Sequence, residues 1–233
     1  MQPQLFQQRE GVAAVQGDFI RRVYNWMGLG LALTALAAFY TTSNPYLLRF
    51  IFGNSLVFFG LIIGELALVI VLSAAIQRLP ASTATLLFFL YSALNGLTLS
   101  VIFLAYTRTS IASTFFVTAG TFAVTSFYGY TTHRNLTSWG SFFFMGLIGI
   151  ILASVVNIFL KSPMVYWLVT YAGILIFVGL AAYDTQRLKE MALAGFADDE
   201  TARRSAVLGA LALYLDFINL FLMLLRIMGN RRD

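Results

Sequence analysis

The stretch YLDFINLFLMLLR at residues 214–226 decides the class of this protein, because it is almost wholly apolar yet carries an acid near its beginning. A helix that crosses a lipid bilayer needs about 20 mostly apolar residues, and this stretch suits part of one. An ionisable group inside a bilayer is costly, so it normally faces the interior of a helical bundle. The role of Asp216 therefore depends on the solvent around this helix and on the partner of its carboxyl group.

The composition indicates an integral membrane protein. Of the 233 residues, 59% are hydrophobic and 11% are charged, whereas a soluble domain has roughly 25% charged residues. Seven apolar segments lie near 23–42, 55–76, 82–106, 111–131, 139–160, 164–184 and 205–228. The sequence therefore predicts an all-α, polytopic bundle of seven transmembrane helices. We expect 1–22 to be a polar cytoplasmic tail, 23–228 the transmembrane domain and 229–233 a basic C-terminal tail.

The distribution of lysine and arginine predicts a cytoplasmic N-terminus, since cytoplasmic loops of membrane proteins are enriched in both. The predicted cytoplasmic segments hold Arg9, Arg21, Arg22, Arg78, Arg134, Arg187, Lys189, Arg203 and Arg204. The opposite side holds Arg49, Arg108 and Lys161, together with Arg231 and Arg232 at the C-terminus. A re-entrant last helix would return that basic C-terminus to the cytoplasmic side, in line with the charge distribution. The length of the last segment, however, favours a seventh crossing.

The chain lacks the residues that several classes of protein function require. The chain has no cysteine and a single histidine, so disulfide, thiolate and zinc chemistry are not expected. The net charge of +5 comes from basic residues scattered over loops, which indicates membrane topology and not nucleic-acid binding. No cofactor and no enzymatic activity are predicted.

Polar residues within the apolar segments mark the faces that are turned away from lipid. Three acids lie in such segments: Glu65, Asp184 and Asp216. Helical steps along the last segment place Ser205, Gly209, Ala212, Asp216, Asn219 and Met223 on one face. Small and polar residues on one face favour close packing against other helices, so the last helix is expected at the centre of the bundle.

Two further polar stripes allow two interpretations. The third segment has Ser92, Asn95 and Thr98 on one face, and the fourth has Thr114, Thr118, Thr121, Thr125 and Tyr128. We favour hydroxyls that bond to carbonyls of their own helix and ease helix packing. A water-filled pore lining is the alternative.

Asp184 and Asp216 are the strongest candidates for a functional pair. Two carboxyls that lie close together in a low-dielectric site cannot both ionise easily and tend to share one proton. Such a pair is a candidate proton sensor. Their spacing in the sequence does not establish that they meet.

The runs GLAAYDTQRLK at 179–189 and ALYLDFINLFLMLLR at 212–226 resemble the Bax inhibitor-1 family, and the similarity extends over nearly the whole chain. The resemblance implies six helices wrapped around a central seventh, in a bacterial inner-membrane protein. It also implies that Asp184 and Asp216 form a hydrogen-bonded pair at the cytoplasmic side of a closed pore. Characterised relatives are pH-sensitive calcium leaks, some eukaryotic members are cytoprotective, and a bacterial member modulates a membrane protease.

One departure from the family pattern affects the expected latch on the first aspartate. The family places an arginine where this chain has Ile76, and the nearest arginine is Arg78. Two residues along a helix correspond to about 200° of rotation and about 3 Å of rise. Arg78 is therefore a candidate latch only if the helix ends or unwinds there, which the following Leu79–Pro80 allows.

These observations support three hypotheses of different classes. The first is a pH-sensitive leak for calcium or other cations, with Glu65, Asn95 and Asn219 along the ion path and calcium contacts at the aspartate pair. The sign of its pH dependence stays open, because charge repulsion and a latch act in opposite directions. The second is a non-transporting regulator that binds a membrane protease or other membrane proteins through the N-terminal tail. For that tail we consider disorder the simpler expectation. The third, an intramembrane aspartyl protease, is disfavoured because the chain has no GxGD motif.

Overall fold

A computed structural model describes the backbone of residues 2–232 and the side chains of residues 16–232. Its helices are α1 (Gln2–Ser43), α2 (Pro45–Phe52), α3 (Ser55–Ala75), α4 (Ala81–Leu99), α5 (Val101–Ala105), α6 (Arg108–Thr131), α7 (Thr137–Leu160), α8 (Pro163–Ala194) and α9 (Asp199–Met228). A 3₁₀ turn, Ile76–Arg78, joins α3 to the loop before α4. The predicted all-α membrane fold is confirmed.

Seven helical stretches of the described chain are long and apolar enough to cross a membrane. They are Gln16–Ser43, Ser55–Arg78, Ala81–Ala105, Arg108–Thr131, Thr137–Leu160, Pro163–Ala194 and Asp199–Met228. The last stretch has 30 residues, which favours the full crossing over the re-entrant alternative. It also has the largest buried share, 67% against 6% for the second and fifth stretches, as expected of a central helix.

The N-terminal segment differs from the expectation of a disordered tail. Helix α1 begins at Gln2 and runs without interruption to Ser43. Glutamine, arginine, leucine and alanine are good helix formers, and a proline is tolerated in a first helical turn, so the polar composition does not prevent helix formation. The predicted boundary at residue 22 therefore falls inside a helix.

Two other differences concern segments between the spans. Helix α2 was not predicted; it begins after Asn44, whose side-chain oxygen accepts hydrogen bonds from the N–H groups of Tyr46 at 3.0 Å and Leu47 at 3.2 Å. Such N-capping satisfies backbone donors that a helix start leaves free. Helix α8 continues to Ala194, as its sequence allowed, so only Gly195–Asp198 connect it to α9.

The helices contribute to two units. The first consists of Met1–Ala105 and Leu188–Tyr214. In it, α1 and α4 approach each other closely at two glycines. A Cβ at Gly30 would lie 2.6 Å from the Phe88 ring, and one at Gly96 would lie 3.1 Å from the Cα of Thr34. Both positions therefore require the smallest residue.

The second unit consists of Tyr106–Arg187 and Leu215–Asp233. Its apolar core is built from residues of α7, α8 and α9: Ile150, Val169, Ile176, Phe177, Leu180, Leu220 and Met223. A Cβ at Gly173 would lie 3.1 Å from the sulfur of Met223, so α8 and α9 are in close contact here. This packing fixes the two helices that carry the predicted aspartate pair.

Candidate functional site

The second unit brings the side chains of Asp184 of α8 and Asp216 of α9 together, close enough to interact directly. Asp216 is only 5% exposed. Its Oδ2 atom is buried and accepts no hydrogen bond from an N–H or hydroxyl group of the described residues. Two carboxylates have no proton to donate, so a hydrogen bond between them exists only when at least one is protonated. The geometry thus provides a site for a shared proton.

Glycines of the neighbouring helices hold α8 in place around Asp184. A Cβ at Gly129 of α6 would collide with the backbone of Ala182, and one at Gly140 of α7 would lie 2.5 Å from the ring of Tyr183. Both contacts are within two residues of Asp184. The backbone of α8 next to Asp184 is therefore held by close packing on two sides, against the backbone of Ala182 and against the ring of Tyr183.

A side-chain amide fixes the loop between α6 and α7 to the same part of α8. Gln186 accepts a hydrogen bond from the N–H of Leu136 at 2.8 Å and donates one to the carbonyl of Arg134 at 2.8 Å. Gln186 is 6% exposed, and both of its polar ends are satisfied. This contact holds the loop between α6 and α7 against α8, at a position two residues after Asp184. It was not expected from the sequence.

An aromatic cluster lies next to Asp216 on α9. The ring of Phe217 contacts Phe115 and Phe122 of α6, with centroid separations of 5.4 and 5.5 Å. Asn219, predicted to line an ion path, uses its side-chain N–H for a 2.8 Å hydrogen bond to the carbonyl of Leu215 in its own helix. The surroundings of Asp216 are therefore mostly apolar.

The charged partner of Asp184 within the second unit is Arg187, three residues further along α8, which acts on it electrostatically. Its guanidinium is exposed. Sequence reasoning missed this residue, although the i, i+3 spacing on one helix was a signal. Arg78, the predicted latch, lies in the 3₁₀ turn of the first unit and is exposed, with no ion pair to the described residues of that unit. The α-helix ends at Ala75 and tightens into the 3₁₀ turn that contains Arg78, so it unwinds there, which is the condition that the latch hypothesis set.

The first unit brings together Glu65 and Asn95, two residues predicted to lie along an ion path. Glu65 accepts hydrogen bonds from the side-chain N–H of Asn95 at 3.0 Å and from the Thr98 hydroxyl at 2.9 Å. The Tyr214 hydroxyl donates to Asn95 Oδ1 at 3.0 Å. It also lies 2.6 Å from the Thr34 hydroxyl. The result is a continuous chain of hydrogen bonds across α3, α4, α9 and α1.

Tyr214 is the member of this chain that the sequence interpretation overlooked. Its side chain is fully buried, and buried tyrosine hydroxyls usually find a partner. Tyr214 lies only two residues before Asp216, so the two side chains project from α9 about 200° apart. The sequence signal for this role was the tyrosine in the YLD run at 214–216. It lies on the other side of α9 from the polar face that contains Asp216.

The threonines of α6 mainly follow the favoured packing interpretation. Thr118, Thr121 and Thr125 donate to the carbonyls of residues four positions earlier, at 2.7, 2.9 and 2.9 Å. The hydroxyl of Thr114 is buried and has no partner among the described residues. Bonding within the helix is therefore confirmed for three of the predicted stripe residues and not for Thr114.

Among the described residues no group of three or more histidine, cysteine, aspartate or glutamate side chains is placed to hold a metal ion. Calcium takes six to eight oxygen ligands, typically about 2.3–2.6 Å away. The aspartate pair could supply only part of such a set of ligands. It is therefore better suited to brief contact with a passing cation than to stable binding of a resident one.

The seven spans define a polytopic α-helical membrane protein, and its second unit contains a buried pair of carboxyl groups. Residues 16–233 match the family model described as "Inhibitor of apoptosis-promoting Bax1". The chain belongs to this Bax inhibitor-1 family, which is named for an inhibitory role and not for a catalysed reaction. The predicted family resemblance is confirmed.

Individual relatives show the same full-length similarity. The chain is 57% identical over 215 residues to "Inner membrane protein YbhL" of Escherichia coli K12, covering 92% of both chains. It is 46% identical over 219 residues to an uncharacterized protein of Borreliella burgdorferi, covering 94% of both. An uncharacterized membrane protein of Streptococcus pyogenes is 37% identical over 216 residues, with 91% of this chain and 93% of the relative covered.

Proposed function

We propose that this protein is a pH-sensitive leak for calcium or other cations in a bacterial inner membrane, with its N-terminus in the cytoplasm. The observation that carries the proposal is the close approach of the Asp184 and Asp216 carboxyl groups in a buried part of the second unit. The inner-membrane location rests on the seven spans and on the inner-membrane relative from Escherichia coli.

Proton sharing provides the gate. With one proton on the pair, the hydrogen bond joins α8 to α9, and Asp216 is too buried to meet a hydrated ion. Loss of that proton replaces the hydrogen bond by repulsion between two carboxylates. At about 4 Å and an effective dielectric constant of about 20, this repulsion is about 4 kcal/mol. We therefore expect the bonded state to be the closed one and the flux to rise with pH.

Arg187 and the apolar ring cluster modulate this gate. The guanidinium of Arg187 offsets part of the negative charge on Asp184, while Phe217 and its neighbours keep water from Asp216. Under this proposal Arg187 acts on the first aspartate. Glu65 and Asn95 provide the oxygen ligands that suit calcium along the first unit.

The test measures calcium entry into proteoliposomes that contain the full-length protein, at pH values from about 5 to 9. Asp184→Asn and Asp216→Asn each remove one ionisable group and keep the side-chain size. Asp18→Asn is the matched control, since Asp18 is exposed and pairs with Arg21 at 2.7 Å. We expect the wild type and the control to share one pH profile and the two dyad variants to lose it.

Two results would contradict the proposal. An unchanged pH profile in Asp216→Asn would exclude the pair as the sensor. Calcium entry no faster than in protein-free liposomes at any pH would exclude the leak itself.

A second candidate is a regulator that binds other membrane proteins, such as a membrane protease, without transporting ions. Helix α1 favours it to a degree, because its backbone begins at Gln2 and its first turns are polar in sequence. Such a helical extension is a suitable docking segment. Deleting residues 2–15 should then abolish copurification of the partner while calcium flux stays normal; retained copurification would count against this role.

A further inference from the structure

The second unit contains an open pocket at the end opposite to Asp184, between the α7–α8 connection and the C-terminal residues. Its volume is about 310 Å³. It is lined by Asn157, Lys161, Ser162, Pro163, Tyr166 and Arg231. Five of these six side chains are polar, and none is acidic. The pocket belongs to neither the aspartate pair nor the Glu65 network.

The backbone around the pocket holds its two cations in defined positions. Lys161 ends α7 in a left-handed conformation, with φ 49° and ψ 31°, and its N–H donates to the carbonyl of Asn157 at 2.8 Å. Asn157 Oδ1 in turn accepts from the N–H of Ser162 at 2.9 Å. A non-glycine residue in this conformation is uncommon and is kept only where its surroundings enforce it.

The C-terminal residues are fixed in the same way. Arg231 forms an isolated antiparallel bridge with Tyr106, just before α6. Next to it, the N–H of Asn230 donates to the Ser110 hydroxyl at 3.0 Å, and its carbonyl accepts from the N–H of Thr107 at 3.0 Å. These contacts hold the backbone of Arg231 at the rim of the pocket.

Among the residues that the structure describes, the charged side chains at this end of the unit are all basic. Five basic residues lie at the start of α6, at the end of α7 and around the end of α9: Arg108, Lys161, Arg226, Arg231 and Arg232. The acids described in this unit are Asp184, near the other end, and Asp216, within the span. Arg226 lies over the ring of Tyr166, 5.3 Å from its centroid. The pocket is thus complementary to an anion.

The surroundings of the pocket match the level of lipid headgroups. Tyr166, Trp167 and Tyr171 follow it on α8, with the Trp167 and Tyr171 rings stacked at 5.8 Å. Such aromatic residues concentrate at the membrane–water interface. Apolar side chains beside it are exposed, 81% for Phe159 and 80% for Met164. They provide a surface for acyl chains directly next to the basic pocket.

We propose that this pocket binds a phosphate-bearing anion through Lys161 and Arg231, with the headgroup of an anionic phospholipid as its source. Arginine and lysine are the side chains that most often bind phosphate, and arginine can do so with two parallel hydrogen bonds. The exposed apolar rim distinguishes a lipid from a free phosphate, because a soluble anion makes no use of it.

The test uses the full-length protein in a neutral detergent. Bound lipids are counted by native mass spectrometry during titration with phosphatidylglycerol, and separately with zwitterionic phosphatidylcholine. Inorganic phosphate and glycerol 3-phosphate are added as soluble competitors. The variants are Lys161→Asn, which tolerates the left-handed conformation, Arg231→Gln, and both together. Arg134→Ala removes an exposed cation from the opposite end of the same unit and is the control.

We expect one phosphatidylglycerol to bind more tightly than the others and more tightly than phosphatidylcholine. Each cation near a lipid headgroup is worth about a fivefold change in affinity, so the double variant should bind about 30-fold more weakly. Arg231→Lys should keep most of the affinity, and the control should keep all of it. Melting curves without added lipid identify any variant that has lost its fold. If the Lys161 variants have lost theirs, Arg231→Gln, a change at an exposed position, tests the proposal alone.

The outcomes distinguish the sources of the ligand. Competition by millimolar inorganic phosphate, together with equal binding of both lipids, would assign the pocket to a soluble phosphate. An affinity of the double variant within twofold of the wild type would overturn the proposal, as would an equal loss in Arg134→Ala.

Discussion

Replacing Gly129 by alanine tests whether backbone packing between α6 and α8 fixes the position of Asp184. A Cβ on Gly129 would meet the carbonyl oxygen of Ala182 and would lie 2.9 Å from its carbonyl carbon and 3.0 Å from its Cα. Non-bonded carbon atoms prefer about 3.5–4.0 Å. The obstacle is backbone, so no side-chain rotation relieves it. The two helices must separate by about 0.5–1 Å to restore ordinary contact distances.

The expected cost follows from two opposing effects. Overpacking of this kind destabilises a fold by about 1–3 kcal/mol. Replacing a helical glycine by alanine raises the free energy of unfolding by about 0.5–1 kcal/mol, because glycine loses more chain entropy on folding. The net effect of Gly129→Ala is therefore a loss of about 1–2 kcal/mol, which corresponds to an apparent Tm about 2–8 °C lower for a chain of this size.

Gly120→Ala is the matched control, because Gly120 lies on the same helix and a Cβ there has nothing within 4 Å. It keeps the gain in chain entropy without the collision, so its apparent Tm should equal or exceed that of the wild type. Melting of the detergent-solubilised proteins can be followed through the fluorescence of the three tryptophans. All samples need the same scan rate, since unfolding of membrane proteins is often irreversible. An apparent Tm of Gly129→Ala equal to or above that of Gly120→Ala would refute the packing argument.

Three further substitutions test other contacts. Tyr214→Phe keeps the buried ring and removes two hydrogen bonds of its hydroxyl, so it should cost about 0.6–1.7 kcal/mol in thermal unfolding. The exposed Tyr171→Phe should cost nothing measurable. Gln186→Leu releases the loop between α6 and α7, and its amide hydrogens should exchange faster in mass spectrometry; unchanged exchange would contradict the clamp. A 2.6 Å hydrogen bond from the N–H of Thr201 lowers the pKa of Asp198. Its stabilisation is therefore present above the unfolded pKa and lost as pH falls, so Asp198→Ala should lower the apparent Tm at about pH 7 and progressively less toward about pH 3.

The sequence predicted the parts of this fold that depend on hydrophobicity along the chain. Seven apolar segments became seven spans, because segment length and composition determine which helices can lie in a bilayer. The inward face of α9 also followed from helical spacing, which places Asp216 in a buried environment. Helix α2 was missed, because its eight residues are too short to give a reliable periodic signal.

The contacts of the candidate site were less accessible to sequence reasoning. Asp184 and Asp216 were paired through family resemblance, since their separation along the chain carries no information on their distance in space. Arg187 and Gln186 were overlooked because both lie in a polar stretch that resembles an ordinary loop. Tyr214 was overlooked because a tyrosine in an apolar helix is more often bulk than a hydrogen-bonding centre. Long-range hydrogen bonds of this kind depend on which helices become neighbours.

The buried hydroxyl of Tyr214 has a consequence for how the protein is made. Its bond to Thr34 joins residues 180 positions apart, and its bond to Asn95 spans 119 positions. Helices α1 and α4 therefore enter the membrane, and α6 and α7 are synthesised, long before this partner leaves the ribosome. Until then the Oδ1 atom of Asn95 lacks its hydrogen bond from α9, so the first unit is completed only near the end of translation. Chains that stop before residue 214 can form the bonds of Glu65 to Asn95 and Thr98 but lack the tyrosine hydroxyl that connects them to α1.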